Sequence, residues 1–198
     1  MPRTARTLVD GGIYHILTRG NNRQTLFHQD SDYQRYLLLL STYVKGHAIK
    51  LYHYALMPNH VHLIVETPIG AALSRMMSGL NLSYTLFYRK RHRYTGHLWQ
   101  GRFHSLPIEK ERCLLPCARA VELNPVRGKL SEAPGEYPWS SYAFYGYGNE
   151  STLLTPNPLY ELLGSTSFER QTRYRQFIDE ELQQHLSRIP SHVAPIRL

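Results

Sequence analysis

The sequence predicts an α+β fold: a ferredoxin-like split βαβ antiparallel sheet with helices on one face, followed by a loop-rich helical C-terminal extension. Apolar and polar residues alternate in four short segments, as they do in strands. Apolar residues recur at helical spacing between them, in the order strand, helix, strand, strand, helix, strand. Residues 1–145 are expected to form this domain. Residues 146–198, where proline and glycine become frequent, are expected to form the extension.

Each element is bounded by residues that start or end it. Ser31-Asp32 is predicted to cap the first helix, which stops at Gly46. The third helix is expected to end at Asn124-Pro125, because the residue before a proline disfavours helix. The predicted strands are residues 12–19, 49–56, 60–66 and 103–108. The predicted helices are residues 32–46, 71–89, 112–123 and 167–186.

Two histidines stand at the start of the third strand, in the run Met57-Pro58-Asn59-His60-Val61-His62. Side chains alternate faces on a strand, so His60 and His62 point the same way with Cα atoms ~6.5–7 Å apart. Two imidazoles at that spacing can share one divalent metal with a third ligand from elsewhere. A bare His-x-His is more often a pair of ordinary, partly buried histidines. Here the turn before the pair and a basic, aromatic segment downstream favour a metal site.

The composition is that of a globular protein with an excess of positive charge. The chain has 198 residues, of which 42% are hydrophobic and 19% charged, and its formal net charge is +8. That charge predicts a polyanionic partner. No apolar stretch approaches the ~20 residues of a membrane span, and the N-terminus lacks the apolar core of a signal peptide. We therefore expect a cytoplasmic, nucleoid-associated protein with no membrane partner. Cys113 and Cys117 are expected to be reduced thiols.

Residues 89–104 carry five Lys or Arg side chains, interleaved with aromatic rings, and no acidic residue. Such a segment can contact phosphates and stack on unpaired bases, or it can be a solvated helix end. We expect Trp99 and Phe103 to pack and the cations to contact DNA. Arg3 and Arg6 suggest a DNA-contacting arm or a solvated tail. The predicted DNA-binding residues are Arg19, Asn21, Arg23, Arg89, Lys90, Arg91, Arg93, Trp99, Gln100, Arg102 and Arg127.

Five motifs occur in register over residues 9–145. They are Gly11-Gly12-Ile13-Tyr14-His15 with Arg19-Gly20-Asn21, Leu56-Met57-Pro58-Asn59-His60-Val61-His62, Gly96-His97-Leu98-Trp99-Gln100-Gly101-Arg102-Phe103, Leu123-Asn124-Pro125-Val126-Arg127-Gly128 and Tyr137-Pro138-Trp139-Ser140-Ser141-Tyr142. In order and spacing they resemble the REP-associated tyrosine transposases, relatives of the single-strand HUH transposases of the IS200-like type. Each motif alone would be weak evidence for this family, whereas five motifs in register make the resemblance specific. Residues 150–198 match more loosely.

The resemblance implies that residues 1–145 are a catalytic domain acting on single-stranded DNA at hairpin-forming repeat palindromes. It implies that His60 and His62 hold Mg²⁺ or Mn²⁺, with Asn124 as the third ligand. It further implies a tyrosine, four residues before Asn124, that attacks a phosphodiester to give a 5′-phosphotyrosine link and a free 3′-hydroxyl. The covalent link conserves the bond energy, so no nucleotide cofactor is expected. The protein is expected to act as a monomer or homodimer.

The sequence departs from this family at the nucleophile, because position 120 holds Ala120. The implied catalytic set is thus His60, His62 and the position of Ala120. A methyl group cannot attack phosphorus, so the chain as written is expected not to nick DNA. The alanine is either an engineered replacement or a natural degeneration, unless the register is shifted. Two other classes stay open: a non-catalytic hairpin-binding protein, and a metal-dependent nuclease that uses water as the nucleophile.

Overall fold

The computed structural model describes residues 8–187, so the predicted arm at Arg3 and Arg6 lies outside the described residues. The strands are β1 (Ile13–Arg19), β2 (Lys50–Met57), β3 (His60–Glu66) and β4 (His104–Pro107). They form one antiparallel sheet in the order β2-β3-β1-β4. This is the ferredoxin-like order, and it places β3, with His60 and His62, inside the sheet. The predicted fold class is confirmed.

The described residues also form four long α-helices and three short ones. They are α1 (Asp30–Gly46), α2 (Gly70–His92), α3 (Lys110–Glu122), α4 (Asn124–Arg127), α5 (Tyr142–Tyr147), α6 (Pro158–Glu161) and α7 (Ser167–Ser187). The predicted cap at Ser31-Asp32 is wrong by two to three residues. Gln29 is the N-cap, and the Asp32 carboxylate accepts the backbone N–H of His28 and of Gln29. This capping box satisfies donors that would otherwise lack partners at the helix start.

The sheet is covered on both faces, which the element order alone does not indicate. Helices α1 and α2 pack on one face, over a core that includes Ile16, Leu63 and Met76. Helix α3 packs on the other face, where Ile64 meets Leu114 in a second cluster. Helices therefore lie on both faces, and the expectation of helices on one face is corrected in that detail. The histidines lie on the face that α3 covers.

The chain after α4 wraps back onto α3 and β2. Trp139 stacks on Tyr33 with ring centroids 4.7 Å apart, and its carbonyl accepts the N–H of Leu56. Tyr145 and Tyr174, from α5 and α7, form a third buried cluster with Leu123 at the end of α3.

The thiols of Cys113 and Cys117 are free. Within the described residues no helix is long and apolar enough to span a membrane.

Candidate active site and nucleic-acid interface

The two histidines of β3 lie side by side on the α3 face of the sheet. Their ring centroids are 4.9 Å apart, and the ring planes are nearly perpendicular, at 81°. The Nδ1–H of His60 donates to the side-chain oxygen of Asn59 at 2.6 Å. The Nδ1 of His62 lies 2.8 Å from the Nε2 of His15 on β1. Since both Nδ1 atoms have partners, the Nε2 atoms are the nitrogens left to bind a metal.

The surroundings keep this pair uncharged. Burial lowers the pKa of His60 to about 4 and that of His62 to about 3. The positive charge of Arg19, which pairs with His60 across β1 and β3, acts in the same direction. A neutral imidazole has a lone pair to donate, whereas a protonated one does not. The pair is thus held in the form that can ligate a divalent ion.

Helix α3 and the short α4 place position 120 and Asn124 on the same side of the chain. Ala120 is exposed, and its carbonyl accepts the side-chain N–H of Asn124 at 3.0 Å. This bond directs the Asn124 amide nitrogen back along the helix and leaves its oxygen available. Side chains four residues apart lie one helical turn from each other. A larger side chain at position 120 would therefore project beside the Asn124 amide into solvent.

A buried carboxylate, Glu122, anchors the opposite side of α3. It accepts from His53 Nδ1 at 2.9 Å, from the Ser141 hydroxyl at 2.6 Å and from the Tyr174 phenol at 2.8 Å. The Asn157 side-chain amide then donates to His53 Nε2 at 3.0 Å. The side chains of Glu122 and His53 are fully buried. Three donors satisfy one carboxylate, and they join α3 to β2, to the start of α5 and to α7.

In the basic segment, residues 89–92 form the last turn of α2, and residues 93–103 form a loop that is joined to the end of β1. Main-chain bonds run from Asn21 N–H to Leu98 and from Gln100 N–H to Arg19, each at 2.8 Å. The Gly20 N–H donates to the Asn59 carbonyl at 2.9 Å, directly before His60. The loop that carries Arg93 and Arg102 is thus fixed to the turn that precedes His60 and His62.

Two pockets open along this loop. One of about 450 Å³ is lined by Asn21, Thr85, Arg89, residues 96–99 and Gly101. The other, of about 210 Å³, lies on the histidine face and is lined by Leu17, Arg19, Gln100, Arg102 and His104. Both have cationic and polar walls, which suit a phosphodiester chain more than an apolar ligand.

Comparison with known proteins shows which family the chain is in. The family profile described as "Transposase IS200 like" matches residues 9–114, more than half of the chain. The chain belongs to the IS200-like transposase family. The matched region contains the histidine pair and the basic loop. It ends before position 120, so the assignment of the nucleophile position depends on the motif around Asn124.

Among solved structures, a REP-associated tyrosine transposase bound to a REP hairpin aligns with a TM-score of 0.63 at 18% identity, over 78% of this chain and 92% of that one. At this identity the likeness shows the fold alone. A candidate transposase from Deinococcus radiodurans has a TM-score of 0.42 at 16% identity, covering 66% and 94% of the two chains. A tRNA(His) guanylyltransferase from Saccharomyces cerevisiae has 0.46 at 11%, covering 89% and 81%. Both TM-scores are below 0.5. No curated protein matches the chain.

The structure brings some of the predicted DNA-binding residues of this transposase together and separates others. Six surround the two pockets: Arg19, Asn21, Arg89, Trp99, Gln100 and Arg102. Arg23, Lys90 and Arg93 are exposed near the same loop. Arg91 faces α1, where it lines a groove with Arg35. Arg127 forms an ion pair with Glu181 of α7 at 2.9 Å. DNA binding by each residue stays a prediction.

Trp99 has the structural role that was expected of it. Its indole N–H donates to the Asn81 carbonyl and the Thr85 hydroxyl, both at 3.0 Å, and its ring packs against the core formed with α2. The ring remains half-buried, so one part of it still lines the larger pocket. Phe103 is buried in the same core.

The sequence interpretation assigned no role to His15, Asn59 or Glu122. The first two were visible only as members of motifs, and their contacts require the strand register and the turn geometry. Glu122 had a local signal. It continues the stripe of Leu114 and Ala118 at steps of four residues, so a charged residue occupies an apolar face of the helix. Such a position indicates a buried, hydrogen-bonded carboxylate.

Proposed function

We propose that this chain is a metal-dependent, single-stranded DNA transposase or nickase of hairpin-forming repeat palindromes, and that Ala120 leaves it unable to cleave. The enzyme class would act through a covalent 5′-phosphotyrosine intermediate. The observation that carries the proposal is the neutral pair of His60 and His62, whose Nδ1 atoms both have partners. A member of the IS200-like family with such a pair is built to hold a divalent ion beside a DNA phosphate.

The side chains fit Mg²⁺ or Mn²⁺. The Nε2 atoms of His60 and His62 would ligate it, and the oxygen of Asn124 is the third donor we assign. Among the described residues no three His, Cys, Asp or Glu side chains are grouped to hold a metal. When bound, the ion would neutralise charge on the non-bridging oxygens of the phosphate.

The chemistry needs a hydroxyl at position 120. A tyrosine oxygen there would form a bond to phosphorus while the bond from phosphorus to the 3′ oxygen breaks. The phenol proton is lost and the departing 3′ oxygen gains one, leaving a 3′-hydroxyl and a 5′-phosphotyrosine. Attack by that 3′-hydroxyl reverses the step at the same or another DNA end. Ala120 supplies no oxygen, so the first bond cannot form.

The substrate we propose is single-stranded DNA next to a stem-loop. The net charge of +8 and the cation-lined pockets along residues 93–103 support a DNA partner. The fold is shared with a transposase that was solved bound to a REP hairpin. Phosphate contacts would give affinity, and stacking on half-buried aromatic rings would favour unpaired bases over a continuous duplex.

A second function, non-catalytic hairpin binding, is favoured by one observation, which is Ala120 itself. Such a protein would retain the loop surface and need no nucleophile. The two proposals agree for the unmodified chain, since both expect binding without cleavage. They differ in whether the site can cleave DNA once a tyrosine hydroxyl is supplied at position 120.

The test is therefore Ala120→Tyr, with Ala120→Phe as the matched control that adds the ring without the oxygen. We expect Ala120→Tyr, with Mg²⁺ or Mn²⁺ and a hairpin bearing a single-stranded flank, to give a 5′-linked protein–DNA adduct on a denaturing gel. Ala120→Phe should give none. The site is exposed, and the difference in helix propensity is only a few tenths of a kcal/mol, so both variants should fold.

Adding His60→Ala and His62→Ala to Ala120→Tyr should abolish the adduct. A folded, hairpin-binding Ala120→Tyr protein that forms no adduct would support the non-catalytic binder instead. Cleavage without an adduct, by the unmodified chain, would indicate water as the nucleophile and a hydrolytic nuclease. Equal affinity for hairpin and blunt duplex, measured by fluorescence anisotropy at fixed salt, would contradict the proposal that the substrate is single-stranded DNA next to a stem-loop.

A further inference from the structure

His15 lies on the same sheet face as the histidine pair and contacts one of them directly. Its register partner on β3 is Ile64, so His62 is its diagonal neighbour. Diagonal positions across an antiparallel pair lie ~7–8 Å apart, within reach of long or aromatic side chains. The two rings are close enough for a hydrogen bond, because His15 Nε2 is 2.8 Å from His62 Nδ1.

The ring geometry is that of a hydrogen bond in the ring planes. The centroids of His15 and His62 are 5.1 Å apart and their planes differ by only 21°. Two imidazoles joined by nitrogen atoms 2.8 Å apart, edge to edge, have centroids at about this separation. One nitrogen must donate and the other accept, so a single proton lies between the two rings.

Which ring carries that proton determines whether His62 can ligate. If His15 were the donor, neutral His62 would carry its own proton on Nε2, the nitrogen that a metal needs. If His62 Nδ1–H is the donor, its Nε2 lone pair is free. In the second arrangement the proton of His15 sits on its own Nδ1, and its Nε2 accepts. His15 then has no lone pair left for the metal.

We propose that His15 is a positioning residue of the metal site, which accepts the Nδ1–H of His62 and thereby holds that ring in its metal-binding tautomer and orientation. Asn59 does the same for His60 through the 2.6 Å bond to its Nδ1–H. The metal site would thus have two ligating rings, each fixed by an acceptor on the side away from the ion. This inference rests on the metal site of the proposed function.

The variants that test it are His15→Phe, which keeps a ring but removes the acceptor, and His15→Gln, whose amide oxygen can replace Nε2. Loss of such an outer partner commonly weakens metal binding by about 10–100-fold. We expect that loss in the Mn²⁺ affinity of His15→Phe, measured by calorimetry, and recovery of most of it in His15→Gln. His47→Phe is the matched control. The His47 Nδ1–H donates to the Tyr43 carbonyl at the end of α1, and its replacement should leave Mn²⁺ affinity unchanged.

A second readout is independent of metal. Long-range ¹H–¹⁵N spectra of ¹⁵N-histidine-labelled protein should show His62 protonated at Nδ1 in the unmodified chain. In His15→Phe the two His62 tautomers should mix. A merely structural role for His15 would leave that tautomer unchanged.

The outcomes separate the two proposals. Failure of the unmodified chain to bind Mn²⁺ would overturn the metal site of the proposed function, and the spectra would still decide the role of His15. Mn²⁺ binding that is equal in the unmodified chain and His15→Phe would overturn the inference alone. A His62 protonated at Nε2 in the unmodified, metal-free chain would also overturn it.

Discussion

Replacing Tyr174 by Phe should lower stability through one identifiable bond. The Tyr174 phenol is fully buried and donates to Glu122 Oε2 at 2.8 Å. Burial and the nearby carboxylate raise the pKa of Tyr174 well above its usual value, so the phenol keeps its proton and remains a donor. The change removes one oxygen, creates no large cavity and leaves one carboxylate oxygen without this donor.

The magnitude follows from the type of bond. A hydrogen bond to a charged group contributes ~1.5–3 kcal/mol to the free energy of unfolding. For a chain of this size 1 kcal/mol shifts the melting temperature by about 2–4 °C, so Tyr174→Phe should melt roughly 3–12 °C lower. The matched control is Tyr147→Phe, which removes the same oxygen from an exposed ring and should change stability by less than ~0.5 kcal/mol.

Thermal and denaturant unfolding of both variants check this value. A double-mutant cycle with Glu122→Gln then isolates the pair. Tyr174→Phe should cost clearly less in the Glu122→Gln background, whereas Tyr147→Phe should cost the same in both backgrounds. A Tyr174→Phe protein as stable as the unmodified chain, or effects of Tyr174→Phe and Glu122→Gln that simply add, would refute the assignment of Glu122 as the anchor of α3.

Three further results are expected. Without metal, the free energy of unfolding should fall as pH drops from 6.5 to 4. The unfolded chain takes up protons on His60 and His62 in this range, whereas the folded chain, with pKa values of about 4 and 3, does not. The variant with both His60→Gln and His62→Gln should show a flatter pH profile of stability. Arg89→Ala should reduce the slope of log affinity for hairpin DNA against log salt by about one phosphate contact. Gly20→Ala should lower both melting temperature and hairpin affinity, because its Cβ would lie 2.3 Å from a backbone carbonyl oxygen, whereas Gly46→Ala, with nothing within 4 Å, should not.

Local patterns were enough to predict the four strands, the four long helices and the histidine pair. Strand alternation alone places His60 and His62 on one face, and β3 has the predicted bounds. What could not be predicted depends on contacts between distant positions. The His15–His62 bond requires the register of β1 against β3, and the Glu122 network joins His53 to Asn157, residues that are 104 positions apart. No periodicity within one segment contains that information, and the same holds for the placement of α3 on the second face.

The buried network and the exposed Ala120 are two sides of one helix. An α-helix turns about 100° per residue, so positions 120 and 124 point in nearly the same direction and position 122 points away from both. Whatever fixes Glu122 therefore fixes the rotation of α3 about its axis, and with it the direction in which position 120 projects. His53 lies on β2, next to β3 in the sheet, with Ile64 as its partner. The Glu122–His53 bond thus fixes position 120 relative to the sheet that carries His60 and His62, and Tyr174 of α7 donates to the same carboxylate. The chain with Ala120 has this whole arrangement, so Ala120→Tyr adds a phenol at a position whose direction is already fixed, and it tests the proposed nucleophile position directly.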